Sequence, residues 1–326
     1  MAAYHIAGGF LRKVLKMIIQ TGNRTDIPAF YAKWFSNRLK EGFVLVRNPF
    51  NPGQITRYEL DPSVVDLIIF CTKNPLPLMQ YRELVNPFKQ YWFVTITPYG
   101  KDIEPNVPDK QKIIEGFKTL SGEHGIHNVC WRYDSVILNE YWTEERHIRV
   151  FSRMCEMLSG YTDTCVISFI DLYEKVKRNY PEIKEVPFSV QMRITEAFVR
   201  IADQYGICIK PCGESSELEK AGADVSGCLT VKTMEKAIGM NLNCPPAPRN
   251  RKECACYITG DIGQYNTCGH LCRYCYANAD PKIVKRNMAQ HDPSSPLLIG
   301  NVMPGDKIHR AKQKSWVDPQ LRFDFI

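Results

Sequence analysis

Short apolar runs of strand length alternate along the chain with segments that have helical periodicity. The runs are continuously apolar rather than alternating in polarity, which is typical of parallel strands buried on both faces of a sheet. Helical periodicity lies over 110–124, 143–159 and 187–205. The apolar runs lie at 17–21, 65–72, 91–97, 128–133, 165–169 and 207–210. This repeat predicts an α/β fold, a parallel (β/α) barrel that is partial or complete and similar to a TIM barrel.

Two stretches interrupt the repeat. Apolar segments on either side of Asn51-Pro52-Gly53 predict a β-hairpin inserted over 43–60. In residues 213–250 the alternation of strands and helices stops, and many turn-forming residues occur. One more strand is predicted after them, at 255–260. The predicted divisions are a tail (1–16), the barrel units (17–250) and a final segment that holds the last strand (251–326).

Composition places the chain among ordinary globular proteins. Of its 326 residues, 44% are hydrophobic and 24% are charged, which excludes a disordered or fibrous protein and suffices for one large α/β domain. No apolar run is long enough to span a bilayer, and Met1–Lys16 lacks the cleavage site of a signal peptide. We therefore expect a cytoplasmic protein without a membrane partner. The net charge of +7 is scattered, so it permits an anionic partner without requiring one.

The distribution of the 13 cysteines points to metal binding in a reducing compartment. Cys71, Cys130 and Cys165 stand alone inside apolar runs, where a thiol packs as a small apolar side chain. Most of the others are crowded between residues 208 and 275. Crowding of this kind is typical of metal ligation and unlike a disulfide framework spread over a small secreted domain.

Three of these cysteines stand in one short segment, 261–278, which we call the cysteine loop. Cys268, Cys272 and Cys275 have C-x-x-x-C-x-x-C spacing, which lets a loop present three thiolates to three irons of one 4Fe–4S cluster and leaves the fourth iron open. A structural zinc site is the alternative, but it usually draws four ligands as two spaced pairs, and no fourth Cys or His follows at zinc-ribbon spacing. The spacing therefore favours a 4Fe–4S site.

The cysteine loop, with Tyr274 before its third cysteine, resembles the signature of the radical S-adenosylmethionine enzymes. The wording from Tyr265 to Ala277 is similar, more particularly, to the spore photoproduct lyase branch. The resemblance implies that the open iron binds S-adenosylmethionine and that an electron from the cluster cleaves it to a 5'-deoxyadenosyl radical, which abstracts hydrogen from a substrate. It also implies an electron donor such as ferredoxin or flavodoxin. The alternative is a non-catalytic iron–sulfur or zinc-binding scaffold.

Three further elements resemble that branch and follow the same order: Thr25-Asp26, Cys71–Pro75, and Glu104-Pro105 within 99–108. The cysteine loop, however, follows the last predicted strand here, whereas the family places it after the first. The resemblance therefore implies a circular permutation, which a barrel tolerates because neighbouring strands stay neighbours wherever the chain is cut. Strand 255–260 should then pair, in parallel, with strand 17–21, and the loop should lie near Thr25 and Asp26 beneath Tyr274 and Tyr276.

The resemblance also implies roles for polar residues at the strand ends. Thr25 and Asp26 would stand near the amino group of S-adenosylmethionine. Thr72, Lys73, Glu104 and Arg132 would line the substrate or the ribose of the cosubstrate. The whole chain further resembles a family of uncharacterised proteins, the domain of unknown function 1848, which implies no substrate. Nucleic acid is a candidate partner, yet no aromatic stacking motif or basic groove is evident, so a small metabolite or a peptide stays open.

A second set of cysteines lies outside the cysteine loop. Cys212, Cys228, Cys254 and Cys256, with Cys244 as a substitute, are candidate ligands of an auxiliary iron–sulfur cluster. The alternative is a group of buried, unreactive thiols, since no compact motif joins these four residues.

Overall fold

Seven parallel strands form the main sheet in the part of the chain that the structure describes. The structure, a computed structural model, describes residues 18–246, 253–254, 256–257 and 260–318. The strands of the main sheet are β1 (Ile18–Gln20), β4 (Leu67–Thr72), β5 (Gln90–Thr95), β6 (Val129–Val136), β7 (Thr164–Phe169), β8 (Cys208–Pro211) and β9 (Gly260–Asp261). Their order is β8-β7-β6-β5-β4-β1-β9, and every pairing is parallel. The predicted α/β fold with a parallel sheet is confirmed, whereas barrel closure is not seen, because β8 and β9 are not paired in the described residues.

The predicted strands and helices coincide closely with the observed ones. The helices are α1 (Ile27–Phe30), α2 (Ala32–Glu41), α3 (Leu76–Met79), α4 (Arg82–Val85), α5 (Lys110–His124), α6 (Glu144–Leu158), α7 (Glu174–Asn179), α8 (Phe188–Asp203), α9 (Val231–Ile238) and α10 (Pro281–Met288), with a 3₁₀ helix at Ser216–Ala221. Helices α5 and α6 begin at side-chain caps, because Asp109 accepts from Gln111 N and Thr143 accepts from Arg146 N. The three helices predicted from periodicity are confirmed as α5, α6 and α8.

The hairpin pattern is also confirmed, and it gains a third strand. β2 (Phe43–Arg47) and β3 (Gln54–Glu59) pair antiparallel, and Asn51 O accepts from Gln54 N at 2.9 Å to close the turn. β10 (Lys307–Arg310) pairs in parallel with the free edge of β3. Sequence reasoning missed β10 because its side chains are all exposed, so they show no apolar pattern.

Alternate residues of the main sheet face two different apolar layers. One face packs against α1, α2, α5, α6 and α8, where the ring of Phe151 stacks on that of Phe198 at a centroid distance of 3.8 Å. The other face packs at its amino-terminal half against α9 and Trp316. Because side chains alternate along a strand, Cys71 and Arg132 extend from this second face at the carboxyl ends of their strands.

The predictions for the two ends of the chain need correction or lie beyond what the structure describes. The strand predicted at 255–260 is confirmed only at Gly260, since Cys256 and Tyr257 are not in a strand; Ala255 and residues 258–259 lie outside the described residues. The predicted tail 1–16 lies outside them too, and the division into segments stays a prediction. None of the helices in the described ranges has the length and apolar character needed to cross a membrane.

Candidate functional site

The cysteine loop leaves the main sheet beside the first strand of the chain. Ile19 pairs with Gly260 and Gln20 with Asp261, in parallel, as the sequence predicts. Ile262 N donates to Gln20 O at 2.9 Å, and Asn23 N donates to the Asp261 carboxylate at 2.8 Å. The loop that follows β9 and the loop that follows β1 are therefore joined at the carboxyl ends of the strands, where ligands of parallel α/β sheets bind.

The backbone of the cysteine loop is held in an uncommon conformation. Asn266 and Leu271 have φ angles of 60° and 55°, and they are the non-glycine residues with positive φ in the described part of the chain. Such conformations cost of order 1 kcal/mol each and cluster at functional sites. Gly269 faces the ring of Phe30 so closely that an added Cβ would lie 2.7 Å from a ring carbon. The loop is thus fitted against α1 at the position of its cysteines.

Asp26 connects the loop to two strand ends. Its Oδ1 accepts from Ala29 N at 3.0 Å and from Thr72 Oγ1 at 2.7 Å, whereas its Oδ2 accepts from Lys73 N at 2.8 Å and bonds His270 Nε2 at 2.9 Å. Because these bonds occupy both carboxylate oxygens, the geometry gives Asp26 and Thr72 a positioning role. The contact with the cosubstrate predicted for these two residues stays a prediction.

Glu104 is the centre of a second buried network beneath the loop. Its Oε1 accepts from Lys73 Nζ at 2.7 Å and from Thr97 Oγ1 at 2.7 Å, and it also accepts from the hydroxyl of Tyr274. Its Oε2 accepts from Lys110 Nζ. Burial by itself would raise the pKa of Glu104, but the two ammonium groups lower that pKa to about 2. Glu104 is therefore a buried carboxylate that fixes Lys73 and Tyr274 beside the thiols.

The three thiols of the loop lie at this site with different exposure. Cys272 is buried, and Cys268 and Cys275 are half-buried. Burial raises the pKa of each thiol, and the nearby Lys73 acts in the opposite direction on the pKa of Cys272 and of Cys275. Ligation to a metal removes the thiol proton, so a fixed cation beside the loop favours the ligating form.

The cover predicted for the thiols is only half correct. Tyr274 is buried, whereas Tyr276 is 45% exposed and its hydroxyl donates to Asn23 O at 2.6 Å. Tyr276 therefore lies at the edge of the site, where its hydroxyl contacts the loop that follows β1.

Two buried oxygens beside the loop, Thr25 Oγ1 and Asn278 Oδ1, have no hydrogen-bond partner among the described residues. The amide of Asn278 donates to Cys268 O at 2.8 Å. The methyl carbon of Thr25 packs against Gly263, where an added Cβ would lie 3.0 Å from it. An unpaired buried acceptor costs about 1–3 kcal/mol, so a bound donor at this place would be favourable. Asn278 was missed by the sequence analysis, although it ends the segment that carries the motif.

Arg132, unlike the other predicted site residues, is also close to the second cysteine set. Its guanidinium pairs with Asp134, lies 3.8 Å from Cys71 Sγ, and interacts electrostatically with the thiols of Cys212 and Cys228. Thr25, Asp26, Thr72, Lys73 and Glu104 surround the cysteine loop. Arg132 also acts on the pKa of Tyr276, so it lies between the cysteine loop and the second cysteine set, on the face of the sheet opposite most of the helices.

The second cysteine set converges despite its spread along the chain. The Sγ atoms of Cys212, Cys228 and Cys256 all lie within 4.8 Å of one another, and the nearby thiol of Cys254 helps to raise the pKa of Cys256. Hydrogen bonds from Cys228 and Cys256 lower the pKa of Cys212. Cys244, the suggested substitute, has no thiol among the groups that act on it. The structure therefore brings together three of the four predicted residues, with Cys254 as a neighbour of Cys256, and sets Cys244 apart.

Comparison with known proteins identifies the family. The sequence model of DUF1848, the domain of unknown function 1848, matches residues 18–277. The chain belongs to the DUF1848 family. The match runs from β1 to Ala277, so it covers all three cysteines of the cysteine loop.

Other comparisons add little to the family assignment. No curated protein matches the chain. Among solved structures, a candidate α-L-fucosidase from Bacteroides thetaiotaomicron is 11% identical, with a TM-score of 0.26, over 73% of this chain and 98% of that chain. A similarity this low carries no argument about fold or activity.

Proposed function

We propose that this DUF1848 protein is a radical S-adenosylmethionine enzyme, related in circularly permuted order to the spore photoproduct lyase branch. The observation that carries the proposal is the parallel pairing of Ile19 with Gly260. This pairing places the C-x-x-x-C-x-x-C loop directly after β9, the strand that lies beside β1 in the sheet. The circular permutation implies this position. A metal scaffold without catalysis gives no reason for this order.

The strand order also supports a partial barrel. From β1 through β4 to β8, each strand lies beside the one before it and the sheet never reverses direction. Right-handed crossovers then bring all the connecting helices to one face, as in a barrel, whereas a doubly wound sheet has helices on both faces. We infer a curved sheet whose inner face bears Cys71 and Arg132 and whose open side lies between β8 and β9.

The donor set of the loop fits a 4Fe–4S cluster better than a single ion. In a tetrahedral site with metal–sulfur bonds of about 2.3 Å, thiolates lie about 3.8 Å apart. The Sγ atoms of the three loop cysteines, Cys268, Cys272 and Cys275, do not all lie within 4.8 Å of one another. A cluster that binds each thiolate through a different iron needs the wider spacing.

The surrounding residues have roles that follow from their contacts. When bound, the cluster would supply the electron that cleaves S-adenosylmethionine to a 5'-deoxyadenosyl radical. Lys73 holds positive charge beside Cys272, and Asp26 fixes the loop through His270. The free acceptors Thr25 Oγ1 and Asn278 Oδ1 are suited to bind an ammonium or hydroxyl group of the cosubstrate.

The test of this proposal is product formation by anaerobically reconstituted protein. With iron, sulfide, a reductant and S-adenosylmethionine, we expect release of 5'-deoxyadenosine, measured by chromatography and mass spectrometry. Cys272→Ala should abolish it, and Cys208→Ala, which changes an exposed cysteine outside both thiol groups, should not. Circular dichroism of both variants checks folding. A colourless protein that binds only zinc would overturn the proposal in favour of the scaffold.

The substrate and the redox partner are the less specified parts of the proposal. An external electron donor such as ferredoxin or flavodoxin is expected, because the reaction consumes one electron. For the substrate, binding of DNA or RNA that weakens steeply with salt would support a nucleobase-containing molecule. Absence of such binding would favour a small metabolite or a peptide, which metabolite comparison of a deletion strain can identify.

A further inference from the structure

The second cysteine set is a compact thiol site away from the cysteine loop. Cys228 Sγ lies 3.5 Å from Cys212 Sγ and 3.0 Å from Cys256 Sγ. Cys228 is buried and the other two are half-buried. Among the residues that the structure describes, these three form the one group of three or more Cys, His, Asp or Glu side chains whose ligand atoms all lie within 4.8 Å of one another.

The spacing of these thiols distinguishes between kinds of metal site. Thiolates around one tetrahedral ion are about 3.8 Å apart, so each observed pair needs to separate by less than about 1 Å to hold an ion. Thiolates on different irons of a 4Fe–4S cluster lie farther apart than this. The auxiliary iron–sulfur cluster expected from the sequence therefore fits the geometry less well than a single ion does.

The neighbours of the three thiols complete the site. Cys254 stands two residues before Cys256 and its thiol acts on the pKa of Cys256, so we assign it as the source of a fourth thiolate. Four thiolates around a divalent ion leave a net negative charge, and the guanidinium of Arg132 faces Cys212 and Cys228 on the same side of the sheet. Soft thiolate ligands in a tetrahedral arrangement select zinc among abundant divalent ions.

The site lies where the main sheet is open. Cys212 follows β8 directly, and its backbone N donates to Ile167 O at 2.9 Å in the neighbouring strand. Cys256 precedes β9, and the next residue, Tyr257, donates from its backbone N to Leu229 O at 2.7 Å, beside Cys228. An ion bound here would therefore connect β8, one outer strand, to the segment that enters β9, the other outer strand.

The geometry points to a structural metal site in which Cys212, Cys228 and Cys256, with Cys254 as fourth ligand, bind one zinc ion that joins the two outer strands of the sheet. Each ligating thiol releases its proton to solvent as the ion binds. This site is separate from the cysteine loop and does not depend on the proposed radical chemistry.

Metal analysis of variants tests the zinc site independently of the loop. In a variant that lacks the loop thiols (Cys268→Ala, Cys272→Ala and Cys275→Ala), we expect about one zinc per chain by plasma mass spectrometry. Adding Cys228→Ala should remove this zinc. Adding Cys244→Ala instead should leave it, because Cys244 is a partly buried cysteine of the same apolar layer outside the thiol group.

A second measurement on the wild-type chain avoids reliance on the folding of variants. Metal-free protein titrated with Co²⁺ under anaerobic conditions should show sulfur-to-cobalt charge transfer and intense visible bands of a tetrahedral thiolate site, saturating at about one ion per chain. Zinc should displace the cobalt and bleach the bands. Failure to bind either ion, or recovery of iron with inorganic sulfide in the loop variant, would overturn the inference. Failure of 5'-deoxyadenosine release alone would overturn only the proposed function.

Discussion

Asp26 and His270 are 244 positions apart in the sequence, yet their side chains share a buried hydrogen bond of 2.9 Å. Asp26 also caps α1 and accepts from the backbone of Lys73, so one carboxylate links β1, β4 and the cysteine loop. The stability of the fold and the shape of the candidate site therefore depend on the same side chain.

Asp26→Asn should destabilise the protein by about 2–3 kcal/mol, because the amide NH₂ would replace one of the two buried carboxylate oxygens, which accept from Thr72 Oγ1 and Lys73 N. The matched control is Asp109→Asn, at the exposed cap of α5, where Asn caps as well as Asp and the expected change is within about 0.5 kcal/mol. Urea unfolding followed by circular dichroism measures both. Equal stability of the two variants would contradict the linking role of Asp26.

Glu104→Gln should cost about 2–4 kcal/mol of unfolding free energy, because it leaves the half-buried ammonium groups of Lys73 and Lys110 without their counter-charge. Adding Lys110→Met should recover part of this loss by removing one unpaired charge. Glu123→Gln breaks the exposed pair with Arg82 and should cost less than about 1 kcal/mol. Denaturant unfolding at pH 7 checks the three variants, and a double variant no more stable than Glu104→Gln would argue against the charge explanation.

Gly22→Ala should disrupt the junction of β1 and β4. A Cβ at this position would lie 2.2 Å from the Cβ of Cys71 and 2.3 Å from its carbonyl oxygen, so the backbone has to shift, at an expected cost of about 3 kcal/mol. Gly122→Ala, in α5 with no heavy atom near the added Cβ, should instead stabilise by about 0.5–1 kcal/mol. Thermal unfolding distinguishes the two signs, and a neutral Gly22→Ala would show that the strands are less closely packed than described.

The protein should lose stability below pH 6.5 through His147. This buried ring bonds the hydroxyl of Tyr133 at 2.7 Å and Ile137 O at 2.8 Å, and burial lowers its pKa from 6.5 to about 4. Because the folded pKa lies below the unfolded one, the neutral ring is fully stabilising above pH 6.5, and the loss is complete below about pH 4. A shift of this size corresponds to about 3 kcal/mol.

Urea unfolding between pH 7 and pH 4.5 measures this loss. His147→Gln, which cannot be protonated, should be less stable at pH 7 but should show a flatter profile over the same interval. The expectation fails if the variant and the wild-type chain lose stability in parallel.

The apolar pattern determined most of the main sheet. Continuous runs such as 65–72 and 165–169 can be buried only between two layers, so their sequence identifies them as parallel strands wherever they lie in space. The position of β9 beside β1 was predicted as well, from the order of motifs. The pairing of β10 with the free edge of β3 was not predictable, because the side chains of β10 are exposed and show no apolar pattern.

The sequence by itself determined which cysteines form the loop, because their spacing is local and limits how thiols can share a metal. Only the tertiary structure decided the rest of the site. It turned Asp26 and Thr72 inward, set Arg132 beside the second thiol group, separated Cys244 from it, and left Thr25 and Asn278 with unpaired oxygens. These outcomes depend on contacts between residues far apart in the chain, and such contacts are fixed by how the strands pack rather than by any local pattern.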